Sequence, residues 1–372
     1  MASLTKIEWA DKTWNPWFGC TKVSPGCMNC YAAVSTPSRI QGVKWGKGQP
    51  RKRTSEAYWK DPAKWDREAA EDLNDFYSHE GLHGGHAHYP KPRPPRVFPS
   101  LCDWLDDEVP IEWLADFLRV IYSTPNLDWL LLTKRPQNFA SRLKAAIGVM
   151  HCDPMDYGDR IDAWIKGERI PRNVWLGVSV EDQIRADQRI PILLETPARV
   201  RFLSCEPLLG LVDLMLRNKL HGFPKRVQAD ESAVYYSVSM LLHWVIVGGE
   251  SGPGARPCNV AWIRSLVDQC KAANVACFVK QLGGKPFDPR KADNIPSRKL
   301  SHESELTDLD AELFDQMVSA MVMKLSHPKG GDPAEWPEDL AVRESPSEPR
   351  SPSAPPRSPR ETTVPSGPQK PN

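Results

Sequence analysis

The chain has no surplus of charge of either sign. Its 48 lysines and arginines meet 47 aspartates and glutamates, for a formal charge of +1. That balance excludes a globally basic nucleic-acid binder and leaves only local patches to consider. Long apolar runs are missing too: no stretch approaches the roughly 18 residues that a membrane-spanning helix needs, and the opening MASLTKIEW lacks the apolar centre of a secretion signal. A cytoplasmic protein is expected. Cysteine is sparse, nine in 372 residues, and after the first three they are scattered singly. That is poor material for a disulfide framework and ordinary for a reducing compartment. The length suits two or three average domains, or one barrel of about 250 residues with appendages.

What is present concentrates in TWNPWFGCTKVSPGCMNCYA, where Cys20, Cys27 and Cys30 are separated by six and two residues. Pro25 and Gly26 supply the turn that folds Cys20 back against the other two, so the triplet is expected to hold an inorganic centre. Three ligands leave one position unfilled. On a 4Fe-4S cubane that position is an iron able to hold an outside molecule, whereas a structural zinc needs a fourth protein ligand, for which Cys102 and His151 are candidates.

From Arg96 onward the pattern repeats. RVFPSL (96–101), LDWLLLT (127–133), NVWLGVSV (173–180), RVRFLSC (199–205), HWVIVGG (243–249) and VACFVK (275–280) are short, β-branched or aromatic runs. Amphipathic segments such as EWLADFLRVIYS and VAWIRSLVDQCKAA lie between them. These are strand and helix units of a parallel sheet. They predict an α/β fold, a partial or closed TIM-type (β/α) barrel over residues 1–290, with a basic and aromatic insertion at 39–95. A helical extension is expected at 291–343, including one amphipathic helix over 300–325, and a surface excursion at 220–240. The Pro/Ser/Arg-rich residues 344–372 bury too little apolar surface to offset their ordering entropy and are expected to be disordered. HEGLHGGHAHYPKPRPP reads as loop. Its His79, His83, His86 and His88 invite a second metal site, but without thiolates or carboxylates beside them simple solvent exposure is the better reading.

In a parallel barrel, chemistry collects where the strands end. Here the strands run into Ser100, Cys102 and Asp103, then Thr133, Lys134 and Arg135, Ser179 and Glu181, Ser204, Cys205 and Glu206, Gly248, Gly249, Glu250 and Ser251, and Lys280 and Gln281. Any one of these is also an ordinary helix cap or surface residue. Their recurrence at successive ends points to a site. The glycine pair before Glu250 permits close backbone approach to a ligand, or simply makes a tight turn.

Across most of residues 6–284 the sequence resembles the phage- and bacteria-associated three-cysteine-motif proteins, which look like divergent radical S-adenosylmethionine (SAM) enzymes. The resemblance rests on KIEWADKTWNPWFGCTKVSPGCMNCYA, DWLDDEVP, LDWLLLTKRPQN, VWLGVSVEDQ, RFLSCEPLLG and WVIVGGESGPGARP. The cysteine spacing differs from the usual radical SAM pattern, and Asn29 stands where an aromatic normally precedes the last cysteine. The resemblance implies a radical SAM-like barrel in which Cys20, Cys27 and Cys30 hold a 4Fe-4S cluster. It also implies SAM cleavage to a 5'-deoxyadenosyl radical and an external electron donor. By similarity to the spore photoproduct lyase branch, Ser100 meets the SAM amino group, Lys134 its carboxylate and Ser179 its ribose. Asp103, Glu206, Gly248, Gly249 and Glu250 are further cofactor-binding candidates, with Gly248–Glu250 facing either SAM or substrate. Cys205 is a candidate hydrogen-atom donor, against the alternative of a buried cysteine acting as a small apolar residue.

RIQGVKWGKGQPRKRTSEAYWKDPAKWDR interleaves Arg39, Lys44, Lys47, Arg51, Lys52 and Arg53 with Trp45, Tyr58, Trp59 and Trp65. Cations for phosphates and flat rings for bases suit extruded or single-stranded nucleotides, and a solvated basic face with packed tryptophans is the alternative. Three functions are consistent with all this. The first is a radical SAM enzyme modifying or repairing DNA or RNA. The second is a non-catalytic nucleic-acid binder with structural zinc. The third is a cluster subunit active only with a three-cysteine-motif partner protein.

Overall fold

The computed structural model describes residues 7–35, 42–82, 90–150, 156–216, 238–252, 254–291 and 321–346, with Thr5, Ser38 and Arg39 besides. Two short strands, β1 (Lys12–Thr13) and β2 (Trp17–Phe18), precede the cysteines, and β3 (Lys52–Arg53) pairs antiparallel with β2. Then come β4 (Arg96–Phe98), β5 (Asp128–Thr133), β6 (Val174–Ser179), β7 (Val200–Cys205), β8 (Trp244–Gly248), β9 (Cys258–Asn259), β10 (Ala276–Gln281) and β11 (Pro286–Phe287). Seven of them form one parallel sheet in the order β1-β4-β5-β6-β7-β8-β10. The sheet curls into a half-barrel flanked by helices, which decides between the partial and the closed barrel that the sequence left open. All six apolar runs are strands. The seventh, β1, joins β4 through Lys12 and Thr13 and is too short to carry a periodic signal.

Alternation along the strands sorts the side chains into two layers. One set, including Trp129, Leu131, Leu176, Leu203 and Val245, packs against helices at Ile111–Ser123, Phe139–Gly148, Gln183–Glu195 and Val260–Ala273. The other set points inward, where Phe98, Leu130, Trp175, Phe202, Trp244 and Phe278 gather with Trp9. Gly177 faces the same interior, and a Cβ there would overlap the Phe202 ring. Aromatic side chains thus plug the half of the interior nearer the strand starts, while Lys134, Ser179, Ser204 and Lys280 occupy the strand ends.

Below the plug lies Arg96, 5% exposed, its guanidinium carbon over the rings of Trp175 and Trp244 at 4.9 and 5.0 Å from their centroids. Burial pushes its pKa down to about 10. The chain then returns to this end. Arg343 pairs with Glu8 at 2.9 Å, the Glu344 amide donates to the Cys277 carbonyl at 2.8 Å, and Arg96 donates to Ser345 Oγ at 3.1 Å. Expected disorder from about 344 onward is therefore corrected for Glu344, which bonds to the backbone of Cys277 in β10, and for Ser345, which the Arg96 side chain holds; residues 347–372 lie outside the described residues.

The helix expected over 300–325 falls mostly outside the described residues, but Val322 bridges antiparallel to Phe287 and the Met323 amide donates to the Pro286 carbonyl at 2.9 Å. That end is extended, as hydrogen bonds to the edge of β11 require. The excursion expected at 220–240 lies outside the described residues up to 237, and Val238–Leu241 is helical. The helix Asp61–Leu82 runs into the segment read as loop and includes His79; His83, His86 and His88 lie outside the described residues. Among the described residues no helix is long and apolar enough to cross a membrane.

Candidate functional site

A one-turn helix, Pro25–Cys27, shapes the cysteine loop. Pro25 fixes the first turn, the Cys27 amide donates to the Ser24 carbonyl at 2.9 Å, and the Met28 amide donates to the Pro25 carbonyl at 3.1 Å. Gly26 is needed because a Cβ would stand 3.1 Å from the buried Glu181 carboxyl. The loop lies across the mouth of the half-barrel, where Cys20, Cys27 and Cys30 line one cavity of about 180 Å³. Ser100, Asp103, Lys134, Ser179, Glu206, Gly249 and Glu250 line it as well, so strand ends far apart in sequence meet the cysteines in one place.

Their roles differ. Lys134 Nζ donates to Ser179 Oγ at 2.9 Å, presenting an ammonium and a hydroxyl side by side. Lys280 Nζ lies 3.1 Å from Glu206. Asp103, by contrast, has its oxygens engaged: Oδ1 accepts from Thr133 Oγ1 at 2.7 Å and the Leu105 amide at 3.1 Å, and Oδ2 accepts from the Lys134 amide at 3.0 Å and Arg135 Nη1 at 2.8 Å. Asp103 holds the end of β5 in place. Arg135, which the sequence shows only as one of many strand-end residues, passes this constraint on. Its Nη1 donates to Cys20 Sγ at 3.4 Å and its Nη2 to the Thr21 carbonyl at 2.6 Å. Burial pushes the Cys20 thiol up to about 12, Asp103 adds to the rise, and Arg135 opposes it.

Glu250 is likewise a clamp. It accepts from Arg256 Nε at 2.9 Å and Nη2 at 2.6 Å and from Asn29 Nδ2 at 3.0 Å, while Asn29 also donates to the Gly254 carbonyl at 2.8 Å. Asn29 thus ties the cysteine loop to the loop after β8. Burial would raise the Glu250 pKa, but the bonds from Arg256 and Asn29 outweigh it and hold the carboxyl below its ordinary value. The sign follows from that lowered value: the clasp contributes stability above the unfolded value of about 4.3 and loses it as pH falls through the folded value. Glu250→Gln is expected to cost about 1.5–3 kcal/mol at pH 7 and much less near pH 3. Urea denaturation of both proteins at the two pH values checks this, and an equal cost at each would refute it.

Of the two readings of Cys205 the structure agrees with the buried apolar cysteine, and the expected placing of Gly248 at the site is corrected. Cys205 is fully buried among the residues between the sheet and its helices, because alternation turns it away from the interior that Ser204 faces. It is not in position to give a hydrogen atom to a molecule in the cavity. Gly248 does not line the cavity, whereas Gly249 does. A Cβ on Gly248 would come within 2.6 Å of Glu206 Oε1, and one on Gly249 would collide with the Leu282 backbone. Close packing against the Leu282 backbone requires Gly249.

The basic and aromatic segment is largely spent on its own structure. Arg51 pairs with Asp106 at 2.7 Å with both side chains buried. Arg53 stacks on Trp59 at 3.9 Å and pairs with Asp116 at 2.8 Å, while Tyr58 and Trp59 pack on the core beside buried Trp65. Arg93 forks onto Asp11. Trp45 lines the cavity, however, with Lys44 and Lys47 exposed on either side of it in sequence, and Tyr31 lines it with its hydroxyl on the Ser100 carbonyl at 2.8 Å.

The donor set can be tested for fit to an inorganic centre. Among the described residues no three His, Cys, Asp or Glu side chains converge on the point a single ion would occupy. The three thiols line the wall of one cavity. Soft thiolates suit an iron–sulfur centre. Cys102 lines the same cavity, and His151 lies outside the described residues. A family model described as "Protein of unknown function (DUF5131)" matches residues 4–318. The chain belongs to that family. No curated protein and no solved structure matches it. The DUF5131 match spans the cysteine loop and all seven strands of the half-barrel, and stops short of the returning segment that closes its far end.

Proposed function

We propose that this chain is an iron–sulfur enzyme of the radical SAM type, resembling the three-cysteine-motif proteins, that acts on a nucleic-acid-related substrate. The observation that carries the reading is that Cys20, Cys27 and Cys30 share one cavity with Ser100, Lys134 and Ser179 at the mouth of a parallel half-barrel. The three cysteines would hold the cluster, which with SAM and one external electron supplies a 5'-deoxyadenosyl radical for hydrogen abstraction. Lys134 offers a cation for a carboxylate and Ser179 a hydroxyl for a ribose, and because each already holds the other, a ligand meets them oriented. Lys280 and Glu206 supply a second cation and an acceptor for an amino group. Trp9 and Phe98 form an apolar floor that keeps water from the reacting end. Trp45, Tyr31, Lys44 and Lys47 support a nucleotide at the rim. Exposed Met28, Tyr31 and Val34 on the cysteine loop support a partner protein seated beside the cluster.

A second reading, a structural four-thiol zinc site in a non-catalytic protein, draws on Cys102 in the same cavity. Anaerobic purification separates the two. Iron and sulfide analysis is expected to give about four irons per chain, with 5'-deoxyadenosine formed from SAM under dithionite. Stoichiometric zinc and no product would make the site structural.

A further inference from the structure

We propose that Arg135 sets how readily a cluster bound by Cys20, Cys27 and Cys30 accepts an electron, acting through its hydrogen bond to Cys20. The inference rests on the cluster reading given above. It starts from an asymmetry among the three thiols. Cys20 Sγ receives a guanidinium N–H at 3.4 Å, whereas the polar atom near Cys27 Sγ is the neutral Ser24 hydroxyl at 3.8 Å.

Arg135 is built to point where it does. Its side chain is 3% exposed and is held from both sides, by Asp103 at 2.8 Å and by the Thr21 carbonyl at 2.6 Å, with Asp106 at 3.6 Å. Asp103 is in turn fixed by Thr133 Oγ1 and the Lys134 amide. A surface arginine would have no need of such restraint.

One-electron reduction adds negative charge to the cluster and its thiolates. A fixed cationic donor favours the reduced form more than the oxidised one, and its effect is greatest where water is absent. Arg135 also stands against two carboxylates, Asp103 and Asp106, whose charge would otherwise act on Cys20 unopposed. Removing it therefore makes reduction harder on both counts. Arg135 is a positioning residue, since it touches a ligand of the cluster and not the reacting atoms.

The test compares anaerobically reconstituted wild type, Arg135→Gln and Arg135→Lys by iron content, circular dichroism and a dithionite redox titration followed by electron paramagnetic resonance. Arg135→Gln is expected to be about tenfold harder to reduce, a midpoint lower by about 59 mV for one electron. Arg135→Lys keeps the charge but has no second nitrogen for the Thr21 carbonyl that Nη2 holds, so it is less firmly fixed against Cys20 and its midpoint should fall between the two. Should the glutamine variant not fold, the lysine variant alone carries the test. Midpoints equal to wild type at equal iron content would overturn the proposal, as would a folded variant that takes up no iron, which would assign Arg135 to assembly. A wild type that holds no cluster is a separate result, and the proposal then falls with the reading it rests on.

Discussion

Alanine at Cys27 is expected to bring 5'-deoxyadenosine formation to background and to leave the chain unable to retain a full complement of iron. Replacing residues that merely orient metal ligands already costs about 10–100-fold in affinity or activity, and on the cluster reading proposed above the loss of one of three ligands exceeds that. The fold should stand, because the substitution removes a single side-chain atom at the wall of a cavity while the Ser24–Cys27 backbone turn remains. Iron analysis, product chromatography and a thermal melt on the same preparation check all three parts. Cys102→Ala is the informative companion. With three ligands it keeps iron and product, and with a four-thiol metal it loses the metal as Cys27→Ala does. Unchanged iron and product in Cys27→Ala would end the three-cysteine reading.

The second large effect concerns the support of that loop. Asp106→Ala is expected to destabilise the protein by about 1.5–3 kcal/mol, because it removes the nearer carboxylate from a buried guanidinium and leaves it only that of Glu108, at 3.5 Å. Asp106 is 1% exposed and accepts from Arg51 Nε at 2.7 Å, with the Arg51 side chain fully buried. Against a typical total of about 5–15 kcal/mol this is a substantial loss. It should also be felt at the cysteines. Arg51 Nη2 donates to Thr21 Oγ1 at 2.7 Å, and Thr21 follows Cys20 in the chain. Urea denaturation gives the stability change, and iron per chain after reconstitution gives the effect on the loop. A midpoint equal to wild type would show that the Arg51 charge finds another partner.

The sheet was legible because a strand covered on both faces must be apolar along its length, and six such runs stand out. Half of what they build was not, because alternation says which residues share a face but not which face is the interior. Cys205 and Ser204 are neighbours in sequence and lie on opposite faces of the sheet, so of the two strand-end candidates only Ser204 reaches the cavity and Cys205 is the buried apolar cysteine that was the alternative. Residue type alone also cannot tell whether a polar group is free. Asp103 and Glu250 read as ligand candidates, yet their oxygens are taken by Thr133, Arg135, Arg256 and Asn29. Arg135 went unassigned for the converse reason. Its partner Cys20 is 115 positions away, and only the curvature of the sheet brings them together. In the stretch from Arg39 to Arg67 the expected cations and rings are all present, but Arg53 lies on Trp59 and Arg51 on Asp106, pairings that composition cannot foresee.

The stitching of Arg343, Glu344 and Ser345 onto the strand starts has a practical bearing. The C-terminal side of the chain is rooted beneath the Trp175–Arg96–Trp244 cluster, on the opposite end of the half-barrel from the cysteines. A dye or cross-link placed on Ser345 itself would therefore sit at the back of the molecule, where it reports on the strand starts without touching the cavity that the three cysteines line.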